Sequence, residues 1–187
     1  MSEQLVFIDT ERKLLRDIRV VQINGEIDYS TSGEFIEDVC LLTGKSNEPI
    51  TVIISSNGGD AFAGLAIIRT IRLAQTRGIK IIGDVHGYAC SMAFLILQCC
   101  DDRKMGTLDV LMAHGVTTGF SGDMKNIEAE TKLLNYWHDE FANLVAKRCS
   151  GNTYGEPGFW FEVFRDNTPQ WYTAVESKEM GLIDKVA

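Results

Sequence analysis

The sequence lacks any block of basic residues. Its 18 lysines and arginines are outnumbered by 26 aspartates and glutamates, and the formal net charge is −8. Proteins that bind nucleic acid or an anionic membrane present a concentrated basic surface. We therefore expect neither nucleic acid nor a membrane among the partners of this chain.

Cysteine pairs with the spacing of a metal site are also missing. The five cysteines are an odd number and include no CxxC pair, so neither a disulfide framework nor a structural zinc site is predicted. The N-terminus has no signal-peptide pattern, and the longest apolar run, Met92 to Leu97, is too short to cross a bilayer. We expect a cytoplasmic protein in a reducing compartment, with no metal or other cofactor.

Apolar runs followed by helical patterns make up much of the chain. The runs IRVVQINGEI, PITVIISSNGG and IKIIGDVHGYA read as strands, and each precedes a helical pattern. Because these runs are apolar throughout and show no alternation, we predict parallel strands covered on both faces by helices. The expected architecture is an α/β fold in a single domain, residues 1–187, with a short N-terminal segment at 1–17 and a long helix over 123–149.

Ser91 occurs where the third predicted strand turns into the apolar helix that follows it. A hydroxyl there lies beside unpaired N–H groups and the positive end of the helix dipole, so Ser91 is a candidate nucleophile. Simple capping of the helix is the alternative interpretation. The pair Gly58 and Gly59 ends the preceding strand at the same sheet edge, which makes the N–H groups of Gly59 and Met92 a candidate oxyanion hole. A tight turn is the alternative for the glycines.

Only three histidines are present, so imidazole chemistry has three candidates. His114 ends the short strand VLMAH, at the type of position that also carries Ser91, and is favoured as a general base. A packed or hydrogen-bonded histidine is the alternative. His86 lies within a predicted strand as a core or supporting residue, and His138 is predicted to be solvated on its helix beside acidic neighbours.

Four stretches resemble, in order, the signatures of the Clp protease proteolytic subunit, ClpP. They are SNGGDAFAGLAIIRTI, GYACSMAFLI, LMAHG and WYTAVESKEMGLIDKV. The resemblance runs from about Ile18 to the end and implies the ClpP/crotonase-like fold of repeated ββα units, with 123–149 as a protruding handle helix. It also implies a serine endopeptidase acting on unfolded proteins or peptides, with nucleophile Ser91, base His114 and oxyanion donors Gly59 and Met92.

The third member of the triad does not follow directly from the resemblance. A gapless count to the family's aspartate lands on Pro169, which cannot orient a histidine. Asp166 is the nearest carboxylate and is our predicted third member. Asn167 in that role, or an incomplete triad, are the alternatives.

The resemblance further implies assembly and partners. Two stacked heptameric rings, joined through the handle helices, would enclose the serines, and an AAA+ unfoldase of the ClpX, ClpA or ClpC type would dock and alone use ATP. Asn57 replaces a family proline, and Gly115 and Val116 replace a glutamine and a proline, which indicates a divergent branch. The alternatives are an inactive ring subunit and a crotonase-like thioester enzyme.

Overall fold

The structure is a computed structural model that describes residues 11–117, 123–149 and 151–187. Most of the N-terminal segment predicted at 1–17 therefore lies outside the described residues. Within the described ranges, one sheet of seven strands is accompanied by seven α-helices and a short 3₁₀ turn. The predicted α/β class is confirmed.

The strands are β1 (Val20–Ile27), β2 (Ile50–Gly59), β3 (Ile81–Cys90), β4 (Asp102–Met105), β5 (Val110–Ala113), β6 (Gln170–Thr173) and β7 (Lys185–Val186). The helices are α1 (residues 11–17), α2 (Tyr29–Lys45), α3 (Ala61–Thr76), α4 (Met92–Gln98), α5 (Met124–Arg148), α6 (Pro157–Asp166) and α7 (Ala174–Met180). The long helix predicted over 123–149 is α5, which Asp123 caps by accepting a hydrogen bond from the Asn126 N–H.

The sheet divides at β3. Strands β1, β2, β3, β4 and β7 follow one another in parallel, but the last part of β3 leaves β4 and pairs with β5, which in turn pairs antiparallel with β6. Gly87 lies at the division with a φ of 87°, a conformation that other residues rarely adopt. The carboxylate of Asp109 joins the two branches, because it accepts hydrogen bonds from the N–H groups of Gly87 and Gly106.

Helices cover one face of the sheet more completely than the other. Helix α3 contacts both α2 and α4; α2 in turn contacts β1, and α4 contacts β1 and β2. On β2 and β3 buried residues alternate with half-exposed ones, the latter being Thr51, Ile53, Ser55, Ile82 and Asp84. The prediction that these strands show no alternation was therefore wrong, and the two faces are not covered equally. Isoleucines occupy both the buried and the half-exposed positions of β2 and β3. The two-residue alternation is therefore visible in the sequence only at the polar residues of the half-exposed face.

Helix α6 brings the end of the chain back to the sheet. Its Trp160 and Phe164 are fully buried, and Phe164 packs edge to face against Phe141 of α5, with 6.2 Å between the ring centroids. Helix α6 ends at Asn167, which adopts a left-handed conformation with a φ of 57°. This packing sets the end of α6 beside the residues that follow β5.

Candidate active site

The ends of three parallel strands meet in one pocket of about 530 Å³. Gly59 ends β2, Ser91 follows β3 and His114 follows β5, and all three line the pocket. Parallel strands bring their carboxyl ends to the same sheet edge, which is where α/β sheets form binding crevices. The walls are largely apolar and come from α3, α4 and α5; they include Phe62, Leu95, Leu133, Leu134, Trp137 and Phe141.

Ser91 occupies a strained turn between β3 and α4. Its φ of 55° and ψ of −121° are rare for a residue with a side chain, and such strain persists only where the surroundings impose it. Here the Ser91 N–H donates to the Met112 carbonyl of β5 at 2.8 Å. The Ser91 side chain makes no capping hydrogen bond to α4, so the simple capping interpretation is wrong. The hydroxyl is left available at the pocket.

Gly58 and Gly59 are required at the end of β2 because the backbone there lies very close to the end of β1 and to the turn that contains Ser91. A Cβ on Gly58 would lie 2.7 Å from the Ser91 Cβ and 3.1 Å from the Met92 nitrogen, and one on Gly59 would overlap the Ile27 carbonyl. Both glycines also have positive φ angles, 89° and 153°. The end of β2 is thereby packed against the first N–H of α4, and Gly59 and Met92, the candidate oxyanion donors, line the same pocket.

His114 has a partner on its Nδ1 side. The Oδ1 atom of Asn167 lies 3.4 Å from His114 Nδ1, so a protonated Nδ1 donates to the amide oxygen and leaves Nε2 as the basic nitrogen. Among the described residues, no hydrogen bond joins His114 to the Ser91 hydroxyl; the two side chains share the pocket. The imidazole ring of His114 is therefore contacted on its Nδ1 side by Asn167, the C-cap residue of α6.

Asp166 does not take the place predicted for it. It is the last residue of α6 and is exposed, and within the described part of the chain no hydrogen bond or ion pair links it to His114. The residue that contacts His114 is Asn167, the alternative. The physical reason is the end of α6, because the left-handed turn at Asn167 redirects the chain and brings this residue, not its neighbour, to the imidazole.

The other two histidines lie outside the pocket lining. His86 is on the surface, where its Nε2 lies 3.5 Å from an Asp84 oxygen. His138 is half-buried on α5, and its Nε2 accepts a hydrogen bond from the Val116 N–H at 3.2 Å. The prediction of a solvated His138 was wrong. A signal existed, because Leu134, His138 and Phe141 follow the spacing of an apolar helix face.

The described ranges hold neither a metal-binding cluster nor a membrane-spanning helix. They contain no group of three or more His, Cys, Asp or Glu side chains arranged to hold a metal ion. None of their helices combines the length and the apolar character that crossing a membrane requires.

Comparison with known families places the chain. A family model described as Clp protease matches residues 2–187. The chain belongs to the Clp protease family. The resemblance inferred from the four sequence stretches is thus confirmed, and the match extends over nearly the whole chain.

Curated relatives of this Clp protease chain carry consistent names. The ATP-dependent Clp protease proteolytic subunit 2 of Borreliella burgdorferi is 28% identical over 99% of this chain and 90% of its own length. Subunit 1 of Corynebacterium jeikeium is 28% identical over 93% and 89%. The proteolytic subunit of Bacteroides fragilis is 28% identical over 96% and 83%. The family and these names support a ClpP-type peptidase and do not favour a crotonase-like thioester enzyme.

Proposed function

We propose that this chain is a serine endopeptidase subunit of the Clp type, with Ser91 as nucleophile, His114 as general base and Asn167 as the residue that orients the base. The observation that carries the proposal is the strained Ser91 turn, whose uncapped hydroxyl shares a pocket with a histidine held through Nδ1. Strain without a capping role is typical of nucleophiles on a strand-to-helix turn.

The proposed reaction is acyl transfer from a peptide to Ser91 and then to water. His114 Nε2 takes the hydroxyl proton as Oγ attacks the peptide carbonyl, and the N–H groups of Gly59 and Met92 stabilise the oxyanion. The imidazolium returns its proton to the leaving amine, and the acyl-enzyme is hydrolysed by a water that His114 activates. No cofactor takes part in these steps.

Asn167 stabilises this cycle less than a carboxylate would. Its amide oxygen accepts the Nδ1 proton and fixes the tautomer, but it carries no charge to offset the imidazolium that forms during attack. We therefore expect a working but slow peptidase. The inactive ring subunit is the competing function, and it predicts no turnover at all.

Assembly into a ring is part of the proposal. Helices α3 and α5 border an apolar groove that includes Leu65, Ile68 and Leu144, and Tyr136 of α5 beside it is 58% exposed. Apolar surface of this kind suits a contact with a second copy of the chain. Two stacked heptameric rings, served by a Clp ATPase that unfolds substrates, are the arrangement that we propose. The five free cysteines fit the reducing cytoplasm that we propose as its location.

Hydrolysis of an unstructured fluorogenic peptide tests the function. We expect slow turnover by the assembled wild type and a loss of about 10³-fold or more in Ser91→Ala, because the variant retains binding but no nucleophile. Ser55→Ala, a matched change on β2 outside the pocket lining, keeps the wild-type rate. Equal rates for wild type and Ser91→Ala would remove Ser91 from the mechanism.

A further inference from the structure

Residues 114–116, which we name the base segment, are held between two helices. On one side, the Phe164 carbonyl of α6 approaches Gly115 so closely that a Cβ there would overlap it. On the other side, a Cβ on Gly115 would lie 3.2 Å from His138 Nε2 of α5. The missing side chain of Gly115 therefore lets an imidazole reach the backbone just beyond the proposed base.

His138 makes one polar contact with this segment. Its Nε2 accepts the Val116 N–H at 3.2 Å, and a ring nitrogen accepts only while it is unprotonated, with the neutral ring's proton on Nδ1. Protonation of Nε2 turns the acceptor into a donor that faces another donor. The contact then changes from attractive to repulsive.

The surroundings of His138 favour its neutral form. Burial lowers its pKa from the ordinary value, and the nearby Arg165 of α6 lowers it further, whereas Asp139 of α5 opposes the change. Arg165 also pairs with Asp139, with 3.0 Å between Arg165 Nη2 and Asp139 Oδ1. This ion pair reduces the effect of the Asp139 carboxylate on the pKa of His138. His114, two residues before Val116 in the base segment, is a further titratable group.

We propose that His138 is a positioning residue which holds His114 in place through the Val116 N–H and releases it when protonated. The inference rests on the proposed function, since it concerns the alignment of His114 with Ser91. Above the pKa of His138 the bond to Val116 is intact. As the pH falls through that value the bond is lost, so His114 is less well positioned and activity falls by about the value of one hydrogen bond.

The pH dependence of kcat/KM for peptide hydrolysis tests the proposal. In the wild type kcat/KM should fall by up to about tenfold more between pH 8 and acidic pH than in a variant whose acceptor at position 138 does not titrate, because protonation of His138 removes the bond to Val116. His138→Gln keeps an oxygen acceptor that does not titrate, so it should retain kcat/KM at pH 8 within about threefold and lack this additional acidic loss. His138→Ala should lose about tenfold at pH 8, the cost of one hydrogen bond.

Controls separate a positioning role from a merely structural one. The surface variant His86→Gln should keep the wild-type profile. If His138→Gln showed the same acidic loss as the wild type, or lost as much activity at pH 8 as His138→Ala, the proposal would be overturned. Hydrogen exchange of the peptide that contains Val116 gives a readout that does not need activity, with faster exchange in His138→Ala than in His138→Gln. If the two variants showed this exchange difference but the wild type hydrolysed no peptide, the result would contradict the proposed function and not the role of His138.

Discussion

At the residue scale, the chain departs from the triad that its family resemblance implies. Both Asp166 and Asn167 are exposed, but within the described residues only Asn167 contacts His114, with 3.4 Å between its Oδ1 and His114 Nδ1. An amide fixes the imidazole tautomer but leaves the developing positive charge unbalanced. In the proposed mechanism Asn167 therefore orients His114 without the charge that an aspartate would add.

Substitutions at position 167 separate the orientation of His114 from the effect of charge. Asn167→Asp keeps an acceptor and adds a negative charge, so kcat/KM should rise by about tenfold or more. Asn167→Ala removes the acceptor, and kcat/KM should fall by about tenfold. Steady-state hydrolysis of a peptide measures both, with Asp166→Asn as the matched neighbouring control, expected at wild-type rate. An Asn167→Ala variant as fast as wild type would exclude Asn167 from positioning the base.

At the element scale, the site depends on the close approach of β2 to the turn after β3. Gly58 has no room for a Cβ, because Ser91 and the Cys90 carbonyl lie within 2.8 Å of its position. The strained Ser91 turn is thus held by a strand from a different βα unit. Loss of that contact would relax the turn and move the hydroxyl.

Two glycine substitutions make this requirement measurable. Gly58→Ala adds a clash at a φ of 89° and should lower the free energy of unfolding by about 2–4 kcal/mol, with loss of peptidase activity. Gly33→Ala lies in α2, where a Cβ would have no neighbour within 4 Å, and should raise stability by about 0.5–1 kcal/mol. Urea unfolding monitors both changes. Equal effects from the two substitutions would contradict the close-packing argument.

Much of the element order was predictable from the sequence, but several contacts were not. The apolar runs that end at Gly59 and just before Ser91 predict parallel βα units, because each is followed by a turn and then by residues with helical spacing. The sequence places Asp166 and Asn167 side by side and does not show which of them reaches His114. That choice depends on the left-handed backbone conformation at Asn167. His138 was misassigned because its acidic neighbours suggested solvent, although its spacing from Phe141 fits an apolar face.

At the scale of the whole molecule, the apolar groove between α3 and α5 has consequences for assembly. Tyr136 is 58% exposed in the single chain, so a charge there should cost the fold little. Tyr136→Glu should therefore shift the mass of the protein from rings toward smaller species, because it places a carboxylate in the proposed contact between copies. Lys45→Glu, a charge change at the exposed end of α2, serves as the control. Native mass measurement reads out both variants, and intact rings in Tyr136→Glu would argue against this surface as the contact.

The proposed function, and the roles proposed for the neighbouring residues, depend on Ser91 being the nucleophile. Reaction of the assembled wild type with a fluorophosphonate, followed by mass mapping of the adduct, tests it most directly, because such reagents modify activated serine hydroxyls. The account predicts one adduct, on Ser91, which is lost in Ser91→Ala and strongly reduced in His114→Ala. No adduct on assembled protein, or an adduct on another serine, would contradict it.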